Sequence, residues 1–125
     1  MRKVANVFIS AIAALHLYIA WFEMFAWETR GPKVFSAFPV ELFAQTIAMA
    51  ANQGLYNAFL AIGLLWSLVI KDPKWRVNVA VCFLLFVVLA GVFGAFTVSL
   101  RILYIQAVPA VIALAFLYAG REKAH

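Results

Sequence analysis

Residues 77–98 read VNVAVCFLLFVVLAGVFGAFTV and contain no charged side chain. A helix needs about 20 predominantly apolar residues to cross the hydrocarbon core of a bilayer, so this stretch predicts one membrane-spanning helix. Working outward from it, three more apolar runs of similar length predict further spans. The sequence therefore predicts an all-α, integral membrane four-helix bundle, with spans at about 4–27, 44–70, 77–98 and 102–119.

The composition points to the same class of protein. Hydrophobic residues make up 67% of the chain and charged residues 12%, and the mean hydropathy is +1.00. A typical soluble domain carries about 25% charged residues. Four spans and their loops account for all 125 residues, so we expect a single transmembrane domain. The first run is too long for a signal peptide, whose apolar region is roughly 7–15 residues, and we expect it to be retained.

The basic residues predict the orientation of the spans. Three of the ten lie in the first and third loops, and the other seven lie at the termini and in the second loop: Arg2, Lys3, Lys71, Lys74, Arg76, Arg121 and Lys123. Cytoplasmic segments are enriched in Lys and Arg, so both termini are predicted to be cytoplasmic in a multi-pass protein of the cell (inner) membrane. Topology and attraction to the lipid bilayer account for the net charge of +5, and no nucleic-acid partner is expected.

Polar side chains interrupt the apolar runs, mostly in the half of each span predicted to be outermost. A carboxyl or amide in hydrocarbon is costly unless it is paired or faces a cavity, so such groups are functional candidates. The inner halves look like packing alone. We expect one shared polar pocket in the outer half, and its candidate ligand-binding residues are His16, Glu23, Trp27, Asn52, Gln53, Tyr56, Asn57, Thr97 and Gln106.

Helical spacing groups several of these candidates. His16, Glu23 and Trp27 are seven and four residues apart, which predicts that they share one face of the first span. Gln53 and Asn57 stand one turn apart in the second run. Both stripes are too polar to face lipid, so we expect them to point into the bundle.

Two features of the later runs predict local geometry. Ala90, Gly91 and Gly94 form a cluster of small residues in the third run, which is typical of close helix contacts and is a candidate surface for a homo-oligomer. Pro109 removes a backbone hydrogen bond at the start of the fourth run, which predicts a kink beside Gln106.

The segment 28–43 is predicted to be an amphipathic outer loop. Gly31-Pro32 and Pro39 are expected to break helical structure between its apolar residues. Such a loop either anchors at the interface or covers the outer cavity. Cys82 stands alone in an apolar run, so we expect no disulfide framework, no metal site and no cofactor.

Four strings carry a resemblance to a known family: Glu23-Met24-Phe25-Ala26-Trp27, Lys33-Val34-Phe35, ANQGLYN at residues 51–57, and Val108-Pro109-Ala110. In this order the strings resemble the small integral membrane protein family catalogued as domain of unknown function 1304. The resemblance covers nearly the whole chain, and residues 51–57 are its most specific part. It implies the four-helix topology and the same polar residues, but it implies no reaction.

Three classes of function fit these observations. The first is binding or transport of a small amphipathic or cationic molecule, with Glu23 as the counter-charge. The second is an intramembrane acid/base enzyme, isomerase-like, in which Glu23 and His16 move protons on a lipid-soluble substrate. The third is an accessory subunit of a membrane complex. In a purely structural alternative, Glu23 bonds to Asn52, Gln53 or a tyrosine and fixes helix register.

Overall fold

The computed structural model describes residues 1–122, and this part of the chain is helical with no strand. The helices are α1 (Arg2–Phe25), α2 (Trp27–Val34), α3 (Val40–Gln45), α4 (Ile47–Val69), α5 (Pro73–Thr97), a π-helix (Leu103–Ala107) and α6 (Val108–Glu122). The all-α expectation is therefore confirmed for these residues. Each of the four apolar runs contains one long helix, and the fourth run combines the π-helix with α6.

Three helical segments of the described chain are long and apolar enough to cross a membrane: Arg2–Phe25, Pro73–Thr97 and Leu103–Gly120. Their outward-facing side chains are large and apolar, as at Val7, Leu89 and Phe93, which are 67%, 66% and 71% exposed. Such surface is typical of contact with hydrocarbon, because water would penalise it. α4 has a comparable length of 23 residues, but its first half carries three amide side chains.

The N-terminus of α5 lies earlier than hydropathy predicts. The helix begins at Pro73 and not near residue 77, because Asp72 caps it: an Asp72 side-chain oxygen accepts a hydrogen bond from the Trp75 backbone N–H at 2.8 Å. Proline suits the first helical position, where its missing N–H has no intrahelical partner. The cap adds about one turn of polar helix before the apolar run.

The helices form two compact units, each described by itself. The terminal unit consists of residues 1–14 and the chain from residue 60 onward, and the central unit is Leu15–Phe59. The core of the terminal unit is built from three stripes and one further residue: Ala5, Ile9, Ile12 and Ala13 on α1, Ala80, Leu84 and Val87 on α5, Ala110, Ala113 and Leu117 on α6, and Leu64 on α4. Spacings of three and four residues place each of the three stripes on one helical face.

The glycines of α5 pack within the chain. A Cβ atom built on Gly91 would lie 2.8 Å from the Ala107 backbone nitrogen, and one on Gly94 would lie 3.0 Å from Ile102 Cγ2. Both glycines therefore allow α5 to approach the π-helix and the residue before it. Ala90, the third member of the predicted small-residue cluster, is exposed.

The expected disturbance near Pro109 takes the form of a π-helix. The wide turn Leu103–Ala107 includes Gln106 and leads directly into α6. Proline at 109 provides no N–H for the carbonyl of residue 105, so regular α-helical bonding fails in this segment. An i→i+5 pattern replaces it locally.

The expected loop 28–43 is partly helical, which corrects the interpretation of Gly31-Pro32 as a break. Both residues lie inside α2, and only residues 35–39 separate α2 from α3. Gly31 is buried, and a Cβ atom there would collide with the Phe43 ring. The glycine thus allows α3 to pack against α2 and does not end the helix.

Candidate functional site

A carboxylate–amide pair joins α1 and α4 in the central unit. Asn57 donates a hydrogen bond from Nδ2 to Glu23 Oε2 at 2.8 Å. The same amide nitrogen lies 3.3 Å from the Gln53 carbonyl oxygen, one turn earlier in α4. Asn57 is only 8% exposed, and Glu23 is half-buried. Two of the nine predicted site residues are therefore brought into direct contact.

A close helix approach positions this pair. Gly54 precedes Asn57 by one turn, and a Cβ atom at Gly54 would lie 2.9 Å from the Ala20 carbonyl oxygen and 3.1 Å from Glu23 Cβ. Because a backbone atom fills that space, any larger residue would push α4 away from α1. Ala50, Gly54 and Asn57 form the buried stripe of this part of α4, so the amide is directed at α1 by the same face that makes the contact.

His16 lies on the same helix as Glu23, two turns earlier. Its side chain is fully buried, and Ala20 between the two residues is 5% exposed. Seven residues at 1.5 Å rise separate the two backbones by about 10 Å along the axis. Direct proton transfer between imidazole and carboxyl would therefore need a bridging group. The burial of His16 and the half-burial of Glu23 fit the predicted shared face, but Trp27 lies in α2, so the prediction that it continues this face of the first span is wrong.

The other polar candidates on α4 point outward. Asn52 and Gln53 are exposed, and Tyr56 is 52% exposed with its ring 6.3 Å from that of Phe59. They do not join the Glu23–Asn57 pair through any hydrogen bond described for residues 1–122. Their amide and phenol groups instead form a polar surface beside the buried stripe.

Trp27 has a different environment from the one expected of a pocket wall. Its indole Nε1 donates a hydrogen bond to Thr46 Oγ1 at 2.9 Å, and Thr46 donates to the Leu42 carbonyl at 2.7 Å. The Trp27 ring lies 5.2 Å from Phe43 and 5.5 Å from Phe22 between ring centroids. Trp27 therefore ties α2 to the end of α3.

The last two predicted residues belong to the terminal unit. Thr97 is exposed and donates its hydroxyl hydrogen to the Phe93 carbonyl of its own helix at 2.8 Å. Gln106 is half-buried within the π-helix. Neither residue has a described hydrogen bond to the Glu23–Asn57 pair.

Two features escaped the sequence reasoning. Arg30 donates to the Tyr18 hydroxyl at 2.6 Å, and its guanidinium carbon lies 5.4 Å from the centre of the Trp21 ring. The Tyr18 and Trp21 spacing of three residues was a usable signal for an aromatic face on α1. The second feature is a cavity of about 710 Å³ in the terminal unit. The sequence pattern of its lining residues indicates only membrane topology and helix packing.

These observations define a class: a small helical protein with three helical segments long and apolar enough to span a membrane, and a partly buried carboxylate–amide contact between two helices. Residues 10–118 match the family described as "Protein of unknown function (DUF1304)", and the chain belongs to this family. The uncharacterized protein YpaA of Lactococcus lactis subsp. lactis (strain IL1403) is similar, with 25% identity over 114 residues that cover 89% of this chain and 94% of the relative. No solved structure matches the chain.

Proposed function

We propose that this chain is a four-span protein of the cell membrane, with both termini cytoplasmic, that binds a small amphipathic or cationic molecule in the outer half of its bundle. The fourth span would be α4, whose apolar half follows the three amides. The charge distribution described above supports the orientation, because basic segments are retained in the cytoplasm.

The observation that carries the proposal is the state of Glu23. Its carboxylate lies on α1, which is long and apolar enough to span a membrane, and it accepts a hydrogen bond from a neutral amide, that of Asn57. No lysine or arginine among residues 1–120 forms an ion pair with it, and its described partner is Asn57. A carboxylate at this depth is stabilised by a cation or by protonation, and a cationic ligand would provide the missing charge. The Glu23–Asn57 pair thus provides the anion and one hydrogen-bond donor of an ion-binding site, and a cationic ligand would complete it.

The surroundings suggest an amphipathic ligand. The exposed amides of Asn52 and Gln53 follow the polar edge of α4, and Tyr56 adds a phenol on the same side of the helix as Asn52. A ligand with one cationic group and an apolar body could bind Glu23 and the lipid-facing surface together. Trp21 is a weaker candidate for a wall, because Arg30 already covers its ring.

The proposal is tested with tetraphenylphosphonium, a lipophilic cation, in equilibrium binding to the detergent-purified protein. Glu23→Gln keeps an oxygen acceptor for Asn57 but removes the charge, so we expect the fold to persist and binding to weaken at least tenfold, or about 1.4 kcal/mol. Glu28→Gln is the matched control, because Glu28 is an exposed carboxylate on α2. Equal binding by the wild type and Glu23→Gln would contradict the proposal.

Native mass spectrometry of the same samples extends the test to the natural ligand. A small molecule that copurifies with the wild type and Glu28→Gln, but not with Glu23→Gln, would support the site. The homo-oligomer expected through Ala90, Gly91 and Gly94 would be visible in the same spectra, and Ala90 is the exposed member of that set.

A further inference from the structure

The cavity of the terminal unit lies where four helices begin or end. Its lining includes Arg2 at the start of α1, Leu68 near the end of α4, Pro73 at the start of α5 and Gly120 near the end of α6. A Cβ atom on Gly120 would lie 3.7 Å from Met1 Cβ, so the residue that precedes α1 and the last turns of α6 lie close together beside this cavity. Ends of membrane-crossing helices lie at the depth of the lipid headgroups.

The charged side chains described at the cavity are all basic. Arg2, Lys74 and Arg76 line it, and no acidic residue among residues 1–120 does so. The nearest acid in sequence, Asp72, uses a side-chain oxygen to accept the Trp75 N–H and cap α5. Three cations around one opening create a positive potential that attracts anions.

One of the cations is held in place. Arg76 donates from Nε to the Ile70 carbonyl oxygen at 2.9 Å, and its side chain is half-buried. This bond holds the guanidinium of a residue that lines the cavity, and it uses Nε but neither of the two terminal nitrogens. Arginine presents planar donors that match phosphate oxygens. Arg2 and Lys74 are exposed and can adjust to a bound group.

Most of the remaining wall is apolar, and the polar side chains of Asn6, Ser67 and Asn78 complete it. Ile9, Leu68, Phe116 and Leu117 line the cavity, and Ile9 and Leu117 are almost fully buried. A volume of about 710 Å³ falls within the range of sites that enclose drug-sized ligands. An inorganic anion would fill only a small part of such a space and would leave the apolar wall unused.

We propose that this cavity binds an anionic phospholipid, with the headgroup phosphate against Arg2, Lys74 and Arg76 and part of an acyl chain against Phe116 and Leu117. The combination of cations and apolar wall at headgroup depth matches the two ends of such a molecule. Basic pockets at the ends of membrane helices bind lipid headgroups by the same electrostatics. This site uses none of the residues proposed to bind a cation at Glu23, so the two proposals can fail independently.

The test measures lipid binding to the detergent-purified protein by native mass spectrometry. The protein is titrated with phosphatidylglycerol and, separately, with zwitterionic phosphatidylcholine of the same acyl chains. We expect phosphatidylglycerol to bind at least tenfold more tightly to the wild type. The double variant Arg2→Gln with Lys74→Gln should lose this preference, and its exposed side chains make no described contact that the fold requires.

The matched control is Lys33→Gln with Arg101→Gln, which removes the same charge from two exposed positions that do not line the cavity. This control should keep the preference for phosphatidylglycerol. If both double variants lose it equally, or if the wild type binds the two lipids alike, the proposal is wrong.

A second arm distinguishes lipid from free phosphate. Glycerol 3-phosphate and inorganic phosphate are each added at the concentration at which phosphatidylglycerol saturates the protein. Both should leave the lipid complex intact. If either displaces the lipid or binds as tightly, the occupant is a soluble phosphate compound and the lipid assignment is overturned. The variant Phe116→Ala should weaken lipid binding, because it shortens the apolar wall. Phe116 also stacks on Phe8, with 6.0 Å between ring centroids, so the melting temperature of this variant in lipid-free detergent is the control for folding.

Discussion

The central and terminal units contain polar groups held in opposite ways. In the central unit, the Glu23 carboxylate is half-buried and bonded to a buried amide, and a glycine contact between helices fixes the two groups. In the terminal unit, Arg2 and Lys74 are exposed and line a cavity. They are not part of the hydrophobic core of that unit. The first arrangement depends on helix packing for its geometry, whereas the second leaves its charges free to respond to a ligand.

Because of this difference, mutations in the two units are expected to differ in whether they change the free energy of unfolding or the binding of a ligand. Changes that remove the helix packing or the hydrogen bond at Glu23 should alter folding, because these groups are part of a helix contact. Changes at the rim of the cavity should alter binding alone.

Gly54→Leu should be the most damaging of these changes. A Cβ atom at residue 54 would lie 2.9 Å from the Ala20 carbonyl oxygen, so the leucine side chain would have to displace it. Because this oxygen belongs to the backbone of α1, it cannot move without separating α1 from α4. Overpacking of this kind costs about 2 kcal/mol. Thermal unfolding of the purified protein measures the loss.

The control for this prediction is Gly120→Leu. Gly120 is also a helical glycine, but a Cβ atom there meets only Met1 Cβ at 3.7 Å, which is ordinary contact. Equal melting temperatures for the two variants would mean that α1 and α4 do not approach closely at Gly54, and the packing account of the site would be wrong.

The residues at this contact illustrate how far the sequence determines the structure. The long helices were predictable, because runs of about 20 apolar residues need no tertiary information. Glu23 and Asn57 were both selected as candidates, but the structural alternative paired Glu23 with Asn52, Gln53 or a tyrosine. The structure pairs it with Asn57, since the small residues Ala50 and Gly54 select the face of α4 that meets α1.

Other features depend on contacts that are distant in sequence. In the sequence, Gly31-Pro32 indicates a helix break. The reason for the glycine is its contact with the Phe43 ring, which is distant in sequence. The cavity could not be predicted, because its volume depends on how four helix ends meet. The cap at Asp72 and Pro73, in contrast, follows a local rule and was available in the sequence.

Asn57→Leu should have an intermediate effect. Leucine is close in size but cannot donate to Glu23 Oε2, so the half-buried carboxylate loses its described partner. Hydrogen bonds between membrane helices contribute about 0.6 kcal/mol on average in double-mutant cycles, and we expect a loss of about 1 kcal/mol here because the acceptor is a carboxylate.

A double-mutant cycle isolates this bond. Asn57→Leu is combined with Glu23→Leu, and the unfolding free energies of the wild type, both single variants and the double variant are compared. A coupling energy of about 1 kcal/mol is expected. Strict additivity of the two single effects would show that the hydrogen bond does not stabilise the fold. The proposed binding of a ligand by Glu23 is tested separately, by the tetraphenylphosphonium assay.

The smallest effect on stability is expected for Arg2→Gln with Lys74→Gln. Both side chains are exposed, and substitutions at such positions usually change unfolding free energies by less than about 0.5 kcal/mol. The melting temperature in lipid-free detergent should therefore equal that of the wild type. Added phosphatidylglycerol should raise the melting temperature of the wild type more than that of the variant, because a ligand that binds only the folded state stabilises it by mass action. A large loss of stability without lipid would instead place these cations among the groups that hold the helix ends together, and the contrast between the two units would disappear.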